Sequence, residues 1–246
     1  MFFYPGLQLS HSIILMIAAS VPALFLMLKV YRSDKLEPES PALLRSLVIA
    51  GVLSSLLALV EEMVLEYLLG IVVPEGSLLY NILMYFGVVA VSEESSKYLF
   101  MKRRTWKDPE FDCRFDGVVY AVFVSLGFAL WENISYVFSY GMSTALVRAF
   151  TAIPGHACFG VFMGVFYSAA KEYDLMNKKR ASSFYRKLAV IVPVLLHGSY
   201  DFIATMDGTA ASVIFIIFIA VMFLSGYVLV GNMSKTDRHI TWRILK

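Results

Sequence analysis

The sequence predicts an all-α fold, a polytopic transmembrane helix bundle with about seven spans. Hydrophobic residues make up 59% of the chain and charged residues only 16%, and the mean hydropathy is +0.69, which is too apolar for a soluble domain. The apolar residues fall into seven windows of about 20 residues, the length that a helix needs to cross a bilayer. No soluble domain fits between the windows, so residues 1–246 are expected to form a single integral membrane domain.

The seven windows follow one another with short connections. The first lacks a basic flank on its N-terminal side and is longer than a signal-peptide core, which indicates a retained helix. The fifth and sixth contain Pro154 and Pro193, where kinks are expected. The second window could extend to Val73, because the residues up to that point are largely apolar. The predicted spans are 9–30, 44–66, 78–101, 117–140, 144–170, 187–206 and 209–230.

Lys and Arg residues predict the orientation, because they mark loops that stay in the cytoplasm. If the chain crosses seven times, 19 of the 21 Lys and Arg residues lie on one side, and only Lys97 and Arg148 lie within spans. The N-terminus is therefore predicted outside, and the C-terminus, with Arg243 and Lys246, in the cytoplasm. This role in topology accounts for the basic loops, so the lipid bilayer is an expected partner and nucleic acid is not.

The third span carries Glu93 and Glu94 in an apolar segment, where a charge at the bilayer centre costs roughly 2.5–3.5 kcal/mol. Adjacent side chains on a helix diverge by about 100°, so different roles are expected for the two acids. Lys97 follows them by four and three residues, spacings at which an ammonium reaches a carboxylate. We expect one glutamate to pair with Lys97 and the other to be free as a general base. A purely structural ion pair is the alternative.

The fourth and fifth spans add further polar residues. Glu132 and Asn133 lie well inside the fourth, either to position a water molecule or to join two helices by hydrogen bonds. In the fifth, Pro154 precedes His156 at a predicted kink whose freed carbonyls can line a cavity. Gly160, one turn later, permits close helix approach.

The sixth span contains His197 and Asp201, four residues apart and therefore on one face. A carboxylate at this spacing can orient the imidazole and select its tautomer, as in catalytic or metal-bound histidines. A lone histidine in a membrane helix is more often a packing hydrogen bond. Two histidines together with three carboxylates favour one shared intramembrane site.

Other polar residues have simpler interpretations. Glu61, Glu62 and Glu66 are expected to form an interfacial cluster at the outer end of the second span, with substrate entry or cation binding as the alternative. Arg148 is expected to snorkel or to pair with an acid such as Glu132. The two cysteines lie in a loop and in a span, so a disulfide is not expected.

Four motifs in successive spans resemble the PrsW family of intramembrane proteases, which are distant relatives of the CAAX-type prenyl endopeptidases. The resemblance covers residues 78–206, the expected catalytic core, and its specificity comes from the complete ordered set. The motifs are Glu-Glu-x-x-Lys at Glu93, Glu94 and Lys97, Phe-x-x-x-Glu-Asn at Phe128, Glu132 and Asn133, His-x-x-x-Gly at His156 and Gly160, and His-x-x-x-Asp at His197 and Asp201.

The resemblance implies hydrolysis of a peptide bond in or near the membrane segment of a membrane-tethered protein. Members of the family are associated with the first cleavage of anti-sigma factors in bacterial stress signalling, which implies a multi-pass protein of the prokaryotic cytoplasmic membrane. The resemblance also implies that a glutamate activates water while histidines bind a metal or stabilise the oxyanion. The implied catalytic residues are Glu93, Glu94, Glu132, His156 and His197, with Lys97, Asn133 and Asp201 in support.

Whether a metal takes part stays open at the level of sequence. The family is grouped with metallopeptidases, so one expectation is zinc held by His156, His197 and Glu94. The chain has no HExxH motif, and a metal-free mechanism of glutamate and histidine fits the same residues.

Two other classes of function fit these residues. A proton- or cation-coupled transporter also places carboxylates and histidines at mid-membrane, although no paired broken helices occur in corresponding halves of the chain. A non-catalytic scaffold of the same fold would bind a membrane protein without cleaving it.

Overall fold

A computed structural model describes residues 5–240 of the chain, with side chains described from Ser12 onward. Within this range the chain forms seven helices and no β-sheet, which confirms the predicted all-α bundle. Arg243 and Lys246, assigned to the cytoplasmic tail, lie outside the described residues. The helices are Pro5–Tyr31 (α1), Pro41–Val72 (α2), 78–105 (α3), Asp116–Tyr140 (α4), Met142–Leu175 (α5), Lys179–Ala204 (α6) and Thr209–Lys235 (α7).

Six of the seven helices in the described range are long and apolar enough to cross a membrane, and α3 is the exception. The sequence of α3 joins an apolar first half to a second half that contains Glu93, Glu94 and Lys97. Its backbone also changes within the apolar half, from Leu78–Ile82 to a π-helical segment Leu83–Val89, and then to Ala90–Thr105. The charged residues Glu93, Glu94 and Lys97 thus lie in the one described helix that is not apolar enough to count as a membrane span.

Helix α4 lies at the centre of the bundle and packs against α1, α2, α3 and α5. Close approach depends on glycines. A Cβ at Gly160 of α5 would lie 2.9 Å from the carbonyl oxygen of Ala121, and a Cβ at Gly51 of α2 would lie 2.2 Å from that of Val124. The close approach predicted at Gly160 is therefore confirmed, and α4 is held by backbone contact on two sides.

The two prolines differ in their effect. Helix α5 breaks at Thr151, where φ is −120° and ψ is −71°, because Pro154 lacks the N–H that would continue the hydrogen-bond ladder and its ring crowds the preceding turn. Helix α6 continues through Pro193. The predicted interruption is thus present in α5, three residues before the proline itself.

The loops predicted to be cytoplasmic meet at one end of the bundle. Ser40, the N-cap of α2, donates from its backbone N–H and its hydroxyl to Glu110 in the loop between α3 and α4. The backbone N–H of Arg114 donates to the carbonyl of Arg238 beyond α7, and Arg238 also pairs with Glu172 of α5 at 2.9 Å. These connections therefore lie together, while the number of crossings and the side of the membrane stay predictions.

Candidate active site

Helix α3 brings two carboxylates to one ammonium. The Nζ of Lys97 lies 3.0 Å from Oε2 of Glu93 and 2.7 Å from Oε1 of Glu94. Glu94 and Lys97 are fully buried, and Glu93 is 6% exposed. The expectation that only one glutamate pairs with the lysine is therefore wrong, because a flexible four-carbon stem can place its ammonium between side chains that diverge around the helix.

His156 connects α5 to both α3 and α4. Its Nδ1 lies 3.1 Å from Nζ of Lys97, and its Nε2 lies 2.8 Å from Oε2 of Glu132. An ammonium can only donate, so Nδ1 is the acceptor and Nε2 carries the proton that it donates to the carboxylate. The contacts thus select one tautomer of a neutral imidazole.

His197 of α6 lies between carboxylates on both sides of its ring. Its Nδ1 is 2.9 Å from Oε1 of Glu94 and 3.8 Å from Oε2 of Glu93, and its Nε2 is 3.3 Å from Oδ2 of Asp201. The face of the ring stacks on Phe159 at a centroid distance of 4.7 Å. The expected contact between Asp201 and His197 is present, and it fixes the orientation of the imidazole.

Arg148 and Asn133 extend this network of polar contacts from Glu132 to α1. Arg148 pairs with Glu132 at 3.0 Å, as expected, and its Nε donates to Oδ1 of Asn133. The amide of Asn133 in turn donates to the carbonyl oxygen of Ala19 on α1. Asn133 therefore joins three helices and does not face the cavity described next.

A cavity of about 490 Å³ lies beside these residues. Glu93, Glu132, His156 and His197 reach its wall, whereas Glu94 and Lys97 lie behind that wall. The four helices that carry the sequence motifs, α3, α4, α5 and α6, all contribute to the wall, and α2 contributes as well. The full lining is Ser55, Leu59, Glu62, Tyr85, Val89, Glu93, Phe128, Trp131, Glu132, Ser135, Tyr136, Arg148, Ala152, His156, Phe159, His197, Tyr200, Asp201, Ala204 and Thr205.

The lining includes residues whose position the sequence did not indicate. Glu62 was expected at the interface but reaches the cavity, while its neighbour Glu61 accepts a hydrogen bond from the hydroxyl of Ser96. Glu61 and Glu62 are adjacent in sequence and differ only in the face of α2 on which they lie. The run around them is apolar, so the sequence does not show which of the two faces the cavity. The sequence also did not indicate that Tyr85 and Tyr200 line the cavity, because tyrosines are common in membrane helices.

The π-helical segment of α3 lies one turn before the paired glutamates. Within it, the N–H of Ala90 donates to the carbonyl of Tyr85, five residues earlier, a widened turn that is frequent at functional sites. The segment also carries Phe86, whose ring fills the space where Gly198 has no side chain, since a Cβ there would lie 2.5 Å from it. Gly198 therefore lets α3 and α6 meet directly beside His197.

The carboxylate and imidazole groups include a set of possible metal ligands. One ligand atom each of Glu93, Glu94 and His156 lies within 4.8 Å of the others, and His197 does not belong to this group. One oxygen of Glu94, Oε2, is buried without a hydrogen-bond partner among the described residues. The ammonium of Lys97 lies 2.7–3.1 Å from all three members, so a metal ion placed among them would meet a fixed positive charge.

Comparisons with known proteins give a consistent result. Residues 39–226 match the model of a family described as PrsW family intramembrane metalloprotease. The chain is 32% identical over 204 residues to Protease PrsW of Clostridioides difficile. The aligned region covers 80% of this chain and 79% of that relative. It is 31% identical over 212 residues to Protease PrsW of Shouchella clausii, or 85% and 92% of the two chains. No solved structure matches.

The match extends beyond the four motifs that the sequence analysis used. The aligned region of the family begins before α2 and ends within α7, so it includes the whole cavity. Together with the six membrane-length helices, the relatives show that the chain is a protease and a multi-pass protein of the bacterial cell membrane. The chain belongs to the PrsW family of intramembrane metalloproteases.

Proposed function

We propose that this protein cleaves a membrane-tethered protein in or near its membrane segment, with anti-sigma factors as the substrate class, and that Glu93 activates the attacking water. The observation that supports this most is the position of Glu93. It is the one member of the glutamate pair that lines the cavity, and it ion-pairs with Lys97. A carboxylate in the wall of a cavity can accept a proton from a water molecule held there.

Glu94 has a positioning role in this proposal. It is fully buried and its Oε1 contacts both Lys97 and His197, so it fixes the ammonium and the imidazole relative to each other. His197 also lines the cavity, and a carboxylate lies beside each of its ring nitrogens, Glu94 at 2.9 Å and Asp201 at 3.3 Å. When the ring is protonated at both nitrogens, its positive charge beside the cavity can stabilise the negative charge that forms on a peptide oxygen.

His156 and Glu132 supply the second polar wall of the cavity. The Nε2–H of His156 donates to Glu132, which Arg148 also contacts. The contacts from Glu93 through Lys97 and His156 to Glu132 form a continuous path for a proton. We therefore propose that the proton that Glu93 takes from water passes along this path, with His156 gaining a proton at Nδ1 as it gives up the one at Nε2, and that Glu132 delivers it to the leaving amine.

The family description implies a metal, and the residues around the paired glutamates fit one poorly. A cation among Glu93, Glu94 and His156 would lie next to the Lys97 ammonium, and like charges in a buried site repel strongly. The fixed ammonium already supplies one positive charge to the two carboxylates there. The proposed activation of water by Glu93 accordingly needs no metal at this position.

The test is cleavage of a panel of tagged single-pass bacterial membrane proteins, anti-sigma factors included, by purified protein reconstituted in lipid vesicles. We expect cleavage by wild type and by Glu61→Gln, a neighbouring acid outside the cavity, and no cleavage by Glu93→Gln. Dialysis against a chelator, with metal content read on the same samples, is expected to leave activity intact. Loss of activity on chelation and its return with zinc would contradict the metal-free step.

Two results would favour the other function classes. Cation flux into vesicles that depends on Glu93, without cleavage of any candidate, would support a transporter. Capture of a membrane protein by wild type and Glu93→Gln alike, again without cleavage, would support a scaffold.

A further inference from the structure

A second cluster of buried acids lies at the opposite side of the bundle core from the cavity, at the end where the loops meet. Asp34 and Glu39 belong to the connection between α1 and α2, and Asp116 is the first residue of α4. Their side chains are 4%, 4% and 1% exposed. One carboxylate oxygen from each lies within 4.8 Å of the others. Three negative charges can thus converge on one small, dry volume.

The described residues do not compensate these charges. None of the ion pairs formed among residues 12–240 includes Asp34, Glu39 or Asp116. Both oxygens of Asp34, one of Glu39 and one of Asp116 are buried without a hydrogen-bond partner in the described part of the chain, and so is one oxygen of Asp237 beyond α7. Buried carboxylates are ordinarily paired or bound to metal, so these oxygens are ligand atoms without a ligand.

We propose that Asp34, Glu39 and Asp116 bind a divalent cation of the class that prefers oxygen ligands, such as Mg²⁺, Ca²⁺ or Mn²⁺. Donor type supports this class, because carboxylates without sulfur or imidazole suit hard cations better than zinc. Three acids also match a divalent cation better than a monovalent one. Asp237 is not a member of this group; one of its oxygens accepts from the N–H of Phe115, next to Asp116.

The site is separate from the catalytic cavity. Asp116 and Glu132 are 16 residues apart on the continuous helix α4, which corresponds to about 24 Å. The cation would join the α1–α2 connection to the start of α4, two parts of the chain that are far apart in sequence. Its role is therefore to stabilise this end of the bundle, and cleavage chemistry does not depend on it directly.

The contacts also identify suitable variants. Oδ2 of Asp116 accepts from the backbone N–H groups of Asp112 and Cys113, so changing Asp116 would disturb the loop as well. Asp34→Asn removes the charge while it keeps the shape of the side chain, and no ion pair of Asp34 among the described residues is lost with it. Glu39→Gln is the second variant. Glu37, with a side chain that is 61% exposed in the same connection, provides the matched control Glu37→Gln.

The experiment measures Mn²⁺ binding to full-length protein that has been stripped with EDTA and reconstituted in uncharged lipid. The loss of the electron paramagnetic resonance signal of free Mn²⁺ reports the bound fraction. We expect one site in wild type, displaced by excess Mg²⁺ or Ca²⁺, and weakened about tenfold or more in Asp34→Asn and in Glu39→Gln. Glu37→Gln and the active-site variant Glu94→Gln are expected to bind as wild type does.

A thermal melt on the same samples gives an independent measure. Saturating Mn²⁺ is expected to raise the Tm of wild type by about 3 °C or more and to leave that of Asp34→Asn unchanged. Absence of Mn²⁺ binding by folded wild type, or binding that survives in both Asp34→Asn and Glu39→Gln, would overturn the proposal. If Asp34→Asn does not fold, Glu39→Gln decides. Loss of binding in Glu94→Gln with retention in the other variants would place the cation in the catalytic cavity.

Discussion

Replacing Lys97 by methionine tests whether its ammonium balances the charges of the active site. The ammonium is fully buried and lies 3.0 Å from Glu93 and 2.7 Å from Glu94, so Lys97→Met leaves two buried carboxylates without a counter-charge. Breaking a buried pair of this kind costs about 3–5 kcal/mol. For a protein of this size such a loss lowers Tm by about 6–20 °C. The assay is thermal unfolding of purified protein in one detergent, followed by intrinsic fluorescence.

A double variant separates charge balance from packing. In Lys97→Met with Glu94→Gln the number of unpaired carboxylates falls, so we expect the double variant to be more stable than the sum of the single effects by about 0.5–3 kcal/mol. Lys102→Met, on the same helix near its end, is the control and is expected to melt as wild type does. A Lys97→Met protein within about 1 kcal/mol of wild type, or strictly additive losses, would refute the reasoning.

Three further variants test other parts of the structure. Asp201→Asn is expected to lower the cleavage rate about 10–100-fold without changing the melting curve, because Asp201 orients His197; an unchanged rate would argue against that role. Gly160→Ala is expected to destabilise the protein by about 1–3 kcal/mol, because the added Cβ would meet the backbone of α4. Gly231→Ala is the matched control, because open space surrounds that position. Equal melting temperatures of the two variants would contradict the packing account. Glu61→Gln should keep most of the activity in the vesicle assay, and its inactivity would move the site toward α2.

Much of the fold follows from the sequence because the bilayer imposes a simple rule. A helix that crosses lipid must satisfy its own backbone and expose apolar side chains, so long apolar windows mark the helices directly. The structure begins most of them earlier, by one residue at Asp116 and by eight at Lys179. It also shows the π-helical turns of Leu83–Val89, which pack against α6 and have no signature in an apolar run.

The sequence indicates which residues form the candidate site better than it indicates how they contact one another. Helical spacing correctly indicated that Lys97 reaches the glutamates and that Asp201 reaches His197. Spacing within one helix carries no information on other helices, so the contact between His156 and Lys97 and the place of Glu62 in the cavity could not be foreseen. The same limit hid the acids of the α1–α2 connection, which become a cluster only when the start of α4 is packed against it.

The measurement that tests the central claim most directly is mass spectrometry of a cleaved substrate after incubation in ¹⁸O-labelled water. Hydrolysis by an activated water places the label in the new C-terminal carboxylate. The account predicts a labelled product, cut in or near the membrane segment, from wild type and none from Glu93→Gln that is equally well folded. Labelled product formed by Glu93→Gln at the wild-type rate would contradict the account.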